Sequence, residues 1–442
     1  MMQQQPRLPL WFLIANPALL IAAYMLGTFT GGTRRVPLPE PQRSALELVF
    51  SEVLDSHIEP PDEHQLAERA IEGMVTGLDE YSRYIPPQSV ARYDEASSGH
   101  YSGIGAVITE LGGEAVVHFP FDDSPAAAAG LMPGDVLLTV DDEPIDTAEE
   151  RRGIATLLRG KAATEVGLSI RRGGEELEIA VVRGDVRRPC VTWAHFIDGE
   201  QGLGYAYLSD FHPTACEQLF DAIRALEAER TLRGLILDLR YDGGGSLDQC
   251  LAIARGFLDD GVIATQQRRD ATDETYRAQP GDAQWPELPL VVLVNEGSAS
   301  ASEVLSGALQ DHQRATIVGV RTHGKGYVNT VYAWQGYDFK LKLTTGSYRT
   351  PSGRNIERNH TTSANPADAE KGGIFPDIAV TIPAEETTRL SELLHQIEVP
   401  ETYRQQFAKL AAQHGLEVAA PPRPDADPQL RAALEALRQK LR

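Results

Sequence analysis

The second half of the chain alternates short apolar runs with helical ones, and this alternation narrows the fold more than any other feature. Leu235–Leu239, Leu290–Asn295 and Ala315–Val320 read as buried strands, with helices expected over Ser246–Asp260 and Ala301–His312. Strands separated by helices join one sheet most readily as parallel neighbours linked by crossovers, which predicts an α/β core. Upstream, Ser44 to about Gln88 carries a helical pattern that closes on LDEYSRYIPP. A Gly/Ser-rich joint, Ser97–Gly103, leads into short strands at Gly105–Thr109, Ala115–Phe119 and Val136–Val140. Their Gly and Pro punctuation defines a β-rich module ending near Arg183. Beyond Ala384 the chain turns helical again, interrupted by a linker at Pro421–Pro428. The expected division is 1–34, 35–98, 99–184, 185–384 and 385–442.

Charge and cysteine content remove several function classes. The formal charge of −22 repels phosphate backbones, so no nucleic-acid partner is expected. Cys190, Cys216 and Cys250 are too scattered for a disulfide framework or a CxxC site, and the eleven histidines form no HExxH, so no metal is expected. Residues Leu8–Thr30 are almost wholly apolar, enough for about 20 residues of bilayer. No small-x-small cleavage site follows Met25, which favours a membrane anchor or uncleaved signal. Arg34 and Arg35 beyond it blur the orientation signal.

Two strand–turn–helix units carry candidate chemistry. In GLILDLRYDGGGSLDQ (Gly234–Gln249) a strand runs through three glycines into a helix, leaving N–H groups free to stabilise an oxyanion. In LVNEGSASASEVL the serines Ser298, Ser300 and Ser302 stand between strand and helix, and position alone does not choose among them. Ser300 with Glu303 also fits a helix capping box. Lys325, between Gly324 and Gly326, becomes a base for a serine only if desolvation or nearby cations lower its pKa. Gly319–Lys325 also fills most of a phosphate-binding loop, but Gly326 replaces the Mg²⁺-binding Ser/Thr and a strand-like YVNTVYAW follows. His323 is an alternative base.

The stretch Tyr101-Ser102-Gly103-Ile104-Gly105, with SPAAAAGLMPGDVLLTVDD further on, resembles a PDZ domain of bacterial proteases. That resemblance implies that these five residues receive the carboxylate and last side chain of a peptide. EGSASASEVLSGALQDHQRATIVGVRTHGKGYV resembles the active-site segment of the carboxy-terminal processing peptidases, or tail-specific proteases. AIEGMVTGLDEYSRYI, LRYDGGGSLDQ, TTGSYRTPSGRNIE and GIFPDIAV agree with that family in order. The resemblance implies a crotonase-like core carrying an inserted PDZ domain, with helical regions at both ends. It makes Ser300 the nucleophile, Lys325 the general base, and the N–H groups of Gly244 and Ala301 the oxyanion hole.

Where the family has a glutamine orienting the lysine, this chain has Asn329, and the Asn-Pro before the paired glycines is Asp242-Gly243. The resemblance further implies cleavage of proteins near their carboxyl ends in the bacterial cell envelope, on the periplasmic side, without cofactor. Expected partners are apolar C-terminal tails, an adaptor protein and further copies of the chain. The departures at Asn329 and Asp242-Gly243 leave a second expectation, a peptide-binding adaptor with a weakened core.

Overall fold

A computed structural model describes residues 36–145, 148–269, 271–358, 372–414 and 421–442. The apolar segment 8–30 and most of the insertion-like run 359–372 lie outside the described residues. Among the described residues no helix is long and apolar enough to cross a membrane. The chain falls into two compact units that divide after Gly73. In the first, helix α1 (Glu40–Ser56) begins at a proline pair, Pro39 and Pro41; α2 (Glu63–Thr76) follows Pro60-Pro61 and runs across the division.

The second unit opens with strand β1 (Arg83–Ile85) and helix α3 (Pro87–Ser98). The expected joint therefore loses Ser97 and Ser98 to a helix started by Pro86-Pro87. Gly99 ends that helix at φ 67°, and a Cβ there would lie 2.5 Å from the His212 ring. Both the left-handed backbone and the space demand glycine.

The β-rich module follows. Strand β2 (His100–Gly103) pairs with β9 (Gly184–Arg187). Between them β3 (Ala106–Leu111), β4 (Glu114–Pro120), β5 (Val136–Val140), β6 (Glu143–Pro144), β7 (Glu165–Arg172) and β8 (Glu175–Val182) form one antiparallel sheet. Helices α4 (Pro125–Ala128) and α5 (Ala148–Leu158) accompany it. Alternate side chains such as Val166, Leu168 and Ile170 point into one core, as period-2 patterning requires.

The main sheet runs β10 (Val191–Asp198), β11 (Leu203–Leu208), β12 (Gly234–Asp238), β15 (Leu290–Val294), β16 (Ala315–Gly319) and β19 (Ile378–Ala379). It is parallel from β11 onward, with β10 antiparallel at one edge. Strands β11, β12 and β15 are buried along their whole length, so both faces of the sheet are covered. Helices α6 (Ala215–Glu229), α7 (Leu247–Phe257) and α8 (Ala301–Asp311) cover one face through residues such as Leu219, Ile253 and Leu305. The other face is closed by the tail: α9 (Ala384–Leu394) supplies Leu390 and Leu394, and α11 (Pro428–Lys440) supplies Leu430, Leu434 and Leu437. Helix α10 (Arg404–His414) instead packs Phe407 and Leu410 against Val116 of the β-rich module. A second sheet joins β1 to β18 (Lys340–Arg349), β13 (Gly261–Arg268) and β14 (Glu274–Ala278), with β17 (Tyr327–Ala333) also on β18.

Arg240, just beyond β12, is completely buried. It forms ion pairs with Asp238 (2.6 Å) and with Asp427 (2.8 Å), which caps α11. Gln429 accepts from the same guanidinium at 3.1 Å, and Tyr205 donates to Asp238 at 2.8 Å.

Candidate active site

The ends of β12 and β15 are stitched together before either helix begins. The Asn295 carboxamide oxygen accepts the N–H groups of Tyr241 (2.9 Å) and Gly297 (3.0 Å). The Asp242 carbonyl accepts the Ala299 N–H at 2.9 Å. This stitching separates the three serines. Ser298 is fully buried and donates to the Leu239 carbonyl at 2.7 Å, while Ser302, equally buried, donates to the Asp242 carbonyl at 2.9 Å. Both hydroxyls bind strand to turn. Ser300 alone lines the cleft, at the N-cap of α8 with φ 55°. A non-glycine residue in that region costs about 1–3 kcal/mol, the kind of strain that persists where the surroundings impose it.

Glu303 holds the second half of the site. It is completely buried, and its two carboxylate oxygens accept from the Ser300 N–H (2.8 Å), the Thr322 hydroxyl (2.6 Å), the Gly324 N–H (2.7 Å) and the Lys325 N–H (2.8 Å). The capping-box glutamate is thus also the clamp that brings the Lys325 turn to the Ser300 turn. Burial raises its pKa and the four donors oppose that rise. Glu303→Gln keeps the volume but presents an NH₂ to N–H donors. We expect it to lose about 1–3 kcal/mol of stability and at least about tenfold in kcat, read by urea unfolding and by cleavage kinetics.

The flanking glycines of Lys325 are steric necessities. A Cβ on Gly326 would lie 2.2 Å from the Glu357 backbone nitrogen, and one on Gly324 would lie 2.4 Å from Arg358 Cβ. Lys325 reaches into the cleft with Nζ 5.0 Å from the centre of the Tyr81 ring. Burial lowers its pKa, and Arg83 assists, while Glu303 and Glu357 pull the other way. Lys342 lines the same cleft and is pushed down to about 8 by burial, with Lys325 and Arg83 adding repulsion.

Asn329 lines the cleft, but a bulge between Val328 and Asn329 turns its amide to the Thr344 hydroxyl at 3.1 Å. Thr344 donates in turn to Asp79 at 3.0 Å. Asp79 also accepts the Tyr81 and Ser82 N–H groups and the Ser82 hydroxyl. The LDEYSRYI motif is therefore a staple that sets Tyr81 beside the lysine.

Gly244 lies against the Ser300 turn: a Cβ there would lie 2.8 Å from Ser300 Cβ and 2.9 Å from the Ala301 nitrogen. Its N–H, assigned above to the oxyanion, is given in this structure to the Asp242 carboxyl at 2.8 Å. Ala301 is the first residue of α8, where a helix leaves N–H groups without intrahelical acceptors. The structure adds a further reason against the phosphate-binding loop that Gly326 already disfavoured. The N–H groups of Gly324 and Lys325 are held by Glu303 and that of Gly326 by Glu357, so carboxylates occupy the place of a phosphate. His323 is not among the residues lining the cleft.

The cleft measures about 570 Å³ and also exposes Asp210 and His212, joined at 3.1 Å. Sequence reasoning missed Lys342, Tyr81, Asp210 and His212, because strand and loop residues show no sign of which cleft they face. Among the described residues no group of His, Cys, Asp and Glu could hold a metal ion.

In the β-rich module Tyr101, Gly103, Ile104 and Gly105 line a separate pocket of about 290 Å³, whereas the Ser102 side chain is not part of that lining. Gly105, at φ 74°, leaves no room for a Cβ, which would lie 2.6 Å from Ser124 Cβ. Arg159 stacks over the Tyr101 ring at 5.0 Å and lines the pocket with Arg188.

A strained serine at a helix start, clamped by one carboxylate to a half-buried lysine, beside a β-rich module with a pocket of its own, fits a class of serine peptidase. Residues 202–380 match peptidase family S41 and residues 102–182 match the PDZ domain. The chain is 34% identical over 344 residues to a carboxy-terminal-processing protease of Bartonella bacilliformis, covering 76% of this chain and 75% of that one. It is 32% identical to a probable CtpA-like serine protease of Staphylococcus haemolyticus, covering 70% of this chain and 62% of the relative. A solved photosystem II D1 C-terminal processing protease aligns over 76% of this chain and 86% of its own, with 29% identity and a TM-score of 0.43. The chain belongs to peptidase family S41. Within that family it is a C-terminal processing serine protease with a PDZ domain. The adaptor expectation is not favoured.

Proposed function

We propose that Ser300 attacks the scissile carbonyl, that Lys325 takes its proton as the neutral amine, and that the N–H groups of Gly244 and Ala301 receive the oxyanion. The observation that carries this assignment is Glu303, whose single carboxylate holds the backbones of Ser300 and Lys325 on one cleft. Lys325 returns the proton to the leaving amine, an acyl-enzyme forms on Ser300, and water releases it by the reverse transfer. Asn329 acts at one remove, through Thr344.

The core is of the crotonase type: its parallel strands deliver Gly244 and Ser300 at their carboxyl ends. The division 1–34, 35–98, 99–184, 185–384 and 385–442 stands as our reading, with the tail serving the core as well as any assembly. The Tyr101–Gly105 segment receives an apolar C-terminal tail, with Ile104 and Ile108 towards its last side chain and Arg159 and Arg188 towards its carboxylate. The apolar segment 8–30 supports attachment to the membrane and work in the cell envelope, where an adaptor and further copies of the chain are candidate partners. The test is cleavage of an unstructured protein ending in an apolar tail by the full chain. Amidating the terminal carboxylate should lower kcat/KM at least about tenfold, the loss of charge-assisted hydrogen bonds. Equal rates for free and amidated tails would overturn the tail-recognition reading.

A further inference from the structure

Asp242 stands in the turn that presents Gly244, and its side chain has no contact with solvent. One oxygen, Oδ1, accepts the Gly244 N–H at 2.8 Å. The other, Oδ2, is buried with no hydrogen-bond partner among the described residues. The titratable groups that face it are Asp210 from the β11–α6 connection, Cys190 from before β10, Tyr207 from β11 and Cys250 from α7. None of them is a cation. The nearby Arg240 is already spent on Asp238 and Asp427. A carboxylate with one bare oxygen in such a place pays a desolvation cost that the Gly244 N–H and the neighbouring Ser302 hydroxyl offset only in part, so the neutral acid is the stable form. Burial, reinforced by Asp210, holds the Asp242 carboxyl well above the usual carboxylate range.

A neutral carboxyl has one carbonyl oxygen and one hydroxyl, the same acceptor and donor positions as a carboxamide. We propose that Asp242 is a positioning residue that sets the oxyanion turn as a neutral acid, and that losing its proton to solvent closes the turn by fixing the Gly244 N–H on a carboxylate. The neutral carbonyl is the weaker acceptor, from which a developing oxyanion can take the N–H. The carboxylate is roughly twice as strong an acceptor and repels the oxyanion beside it. Activity therefore falls on the alkaline side through the titration of Asp242, just as it falls on the acid side when Lys325 is protonated.

The inference rests on the oxyanion assignment above, and two readouts keep them apart. The first is kcat/KM against pH for the full chain and Asp242→Asn. The parent should lose about tenfold or more on the alkaline side of its optimum, and Asp242→Asn should lose less than about twofold over the same range. Lys342, pushed down to about 8, lines the same cleft and remains in the variant. An alkaline fall that persists in Asp242→Asn assigns it to Lys342 and overturns the proposal, as does a folded but inactive Asp242→Asn. The second readout needs no activity. Infrared difference spectra of Ser300→Ala against Ser300→Ala/Asp242→Asn at neutral pH should show the carbonyl stretch of one protonated carboxylic acid. A carboxylate band in its place overturns the proposal even if the oxyanion assignment stands.

Discussion

Ser300→Ala and Lys325→Ala should each lower kcat/KM by at least about 10⁴-fold while leaving the unfolding midpoint near that of the parent. The size follows from the chemistry: a serine hydroxyl without a base, or a base without a nucleophile, leaves only binding and oxyanion stabilisation. The stability expectation follows from the structure, since neither side chain carries packing comparable with Ser298, Ser302 or Glu303. Lys325→Arg sharpens the result. It retains a cation over the Tyr81 ring, yet a guanidinium cannot give up its proton, so it should be as inactive as the alanine variant. In the parent, the base must be unprotonated, so the rate rises with pH through a lysine pKa that burial has lowered from its ordinary value. Cleavage by Lys325→Ala with an imidazole-like pH plateau would transfer the role to a histidine.

Arg240→Leu should be the most damaging substitution to the fold, at about 3–5 kcal/mol. It leaves Asp238 and Asp427 buried without their cation and Gln429 without its donor. Urea titration reads the loss as a lower midpoint at unchanged slope. Asp427→Asn, which keeps a hydrogen-bonding oxygen beside the guanidinium, should lose less. A loss under about 1 kcal/mol for Arg240→Leu would show that the buried network contributes specificity of register rather than stability.

Much of the core was legible because its signals are local. Apolar runs, glycine turns and helix starts place β12, α7, β15, α8 and β16 to within a few residues. What was not legible depends on contacts across the chain. Ser298, Ser300 and Ser302 are chemically alike, and only the carbonyls of Leu239 and Asp242 decide that two are structural. Glu303 looked like half of a capping box because its partners Thr322, Gly324 and Lys325 lie some twenty residues on. Asn329 stands where the family's glutamine orients the lysine, and a bulge, which has no sequence period, turns its amide to Thr344. The tail read as a separate helical region because amphipathic helices do not reveal their partners; α11 in fact completes the core sheet and α10 the β-rich module.

That last placement has a consequence for the order in which the molecule can be built. Arg240 meets Gln429 across 189 residues of chain, and the second face of β11, β12 and β15 is closed by α9 and α11. During synthesis the sheet that carries Gly244 and Ser300 emerges long before the helix that seals it. Until residues 428–440 dock, Arg240 lacks Asp427 and an apolar face stands open to water. Contacts this distant in sequence form late. A nascent chain therefore holds Ser300 and Lys325 before the far end of the polypeptide has folded back to close the sheet beneath them.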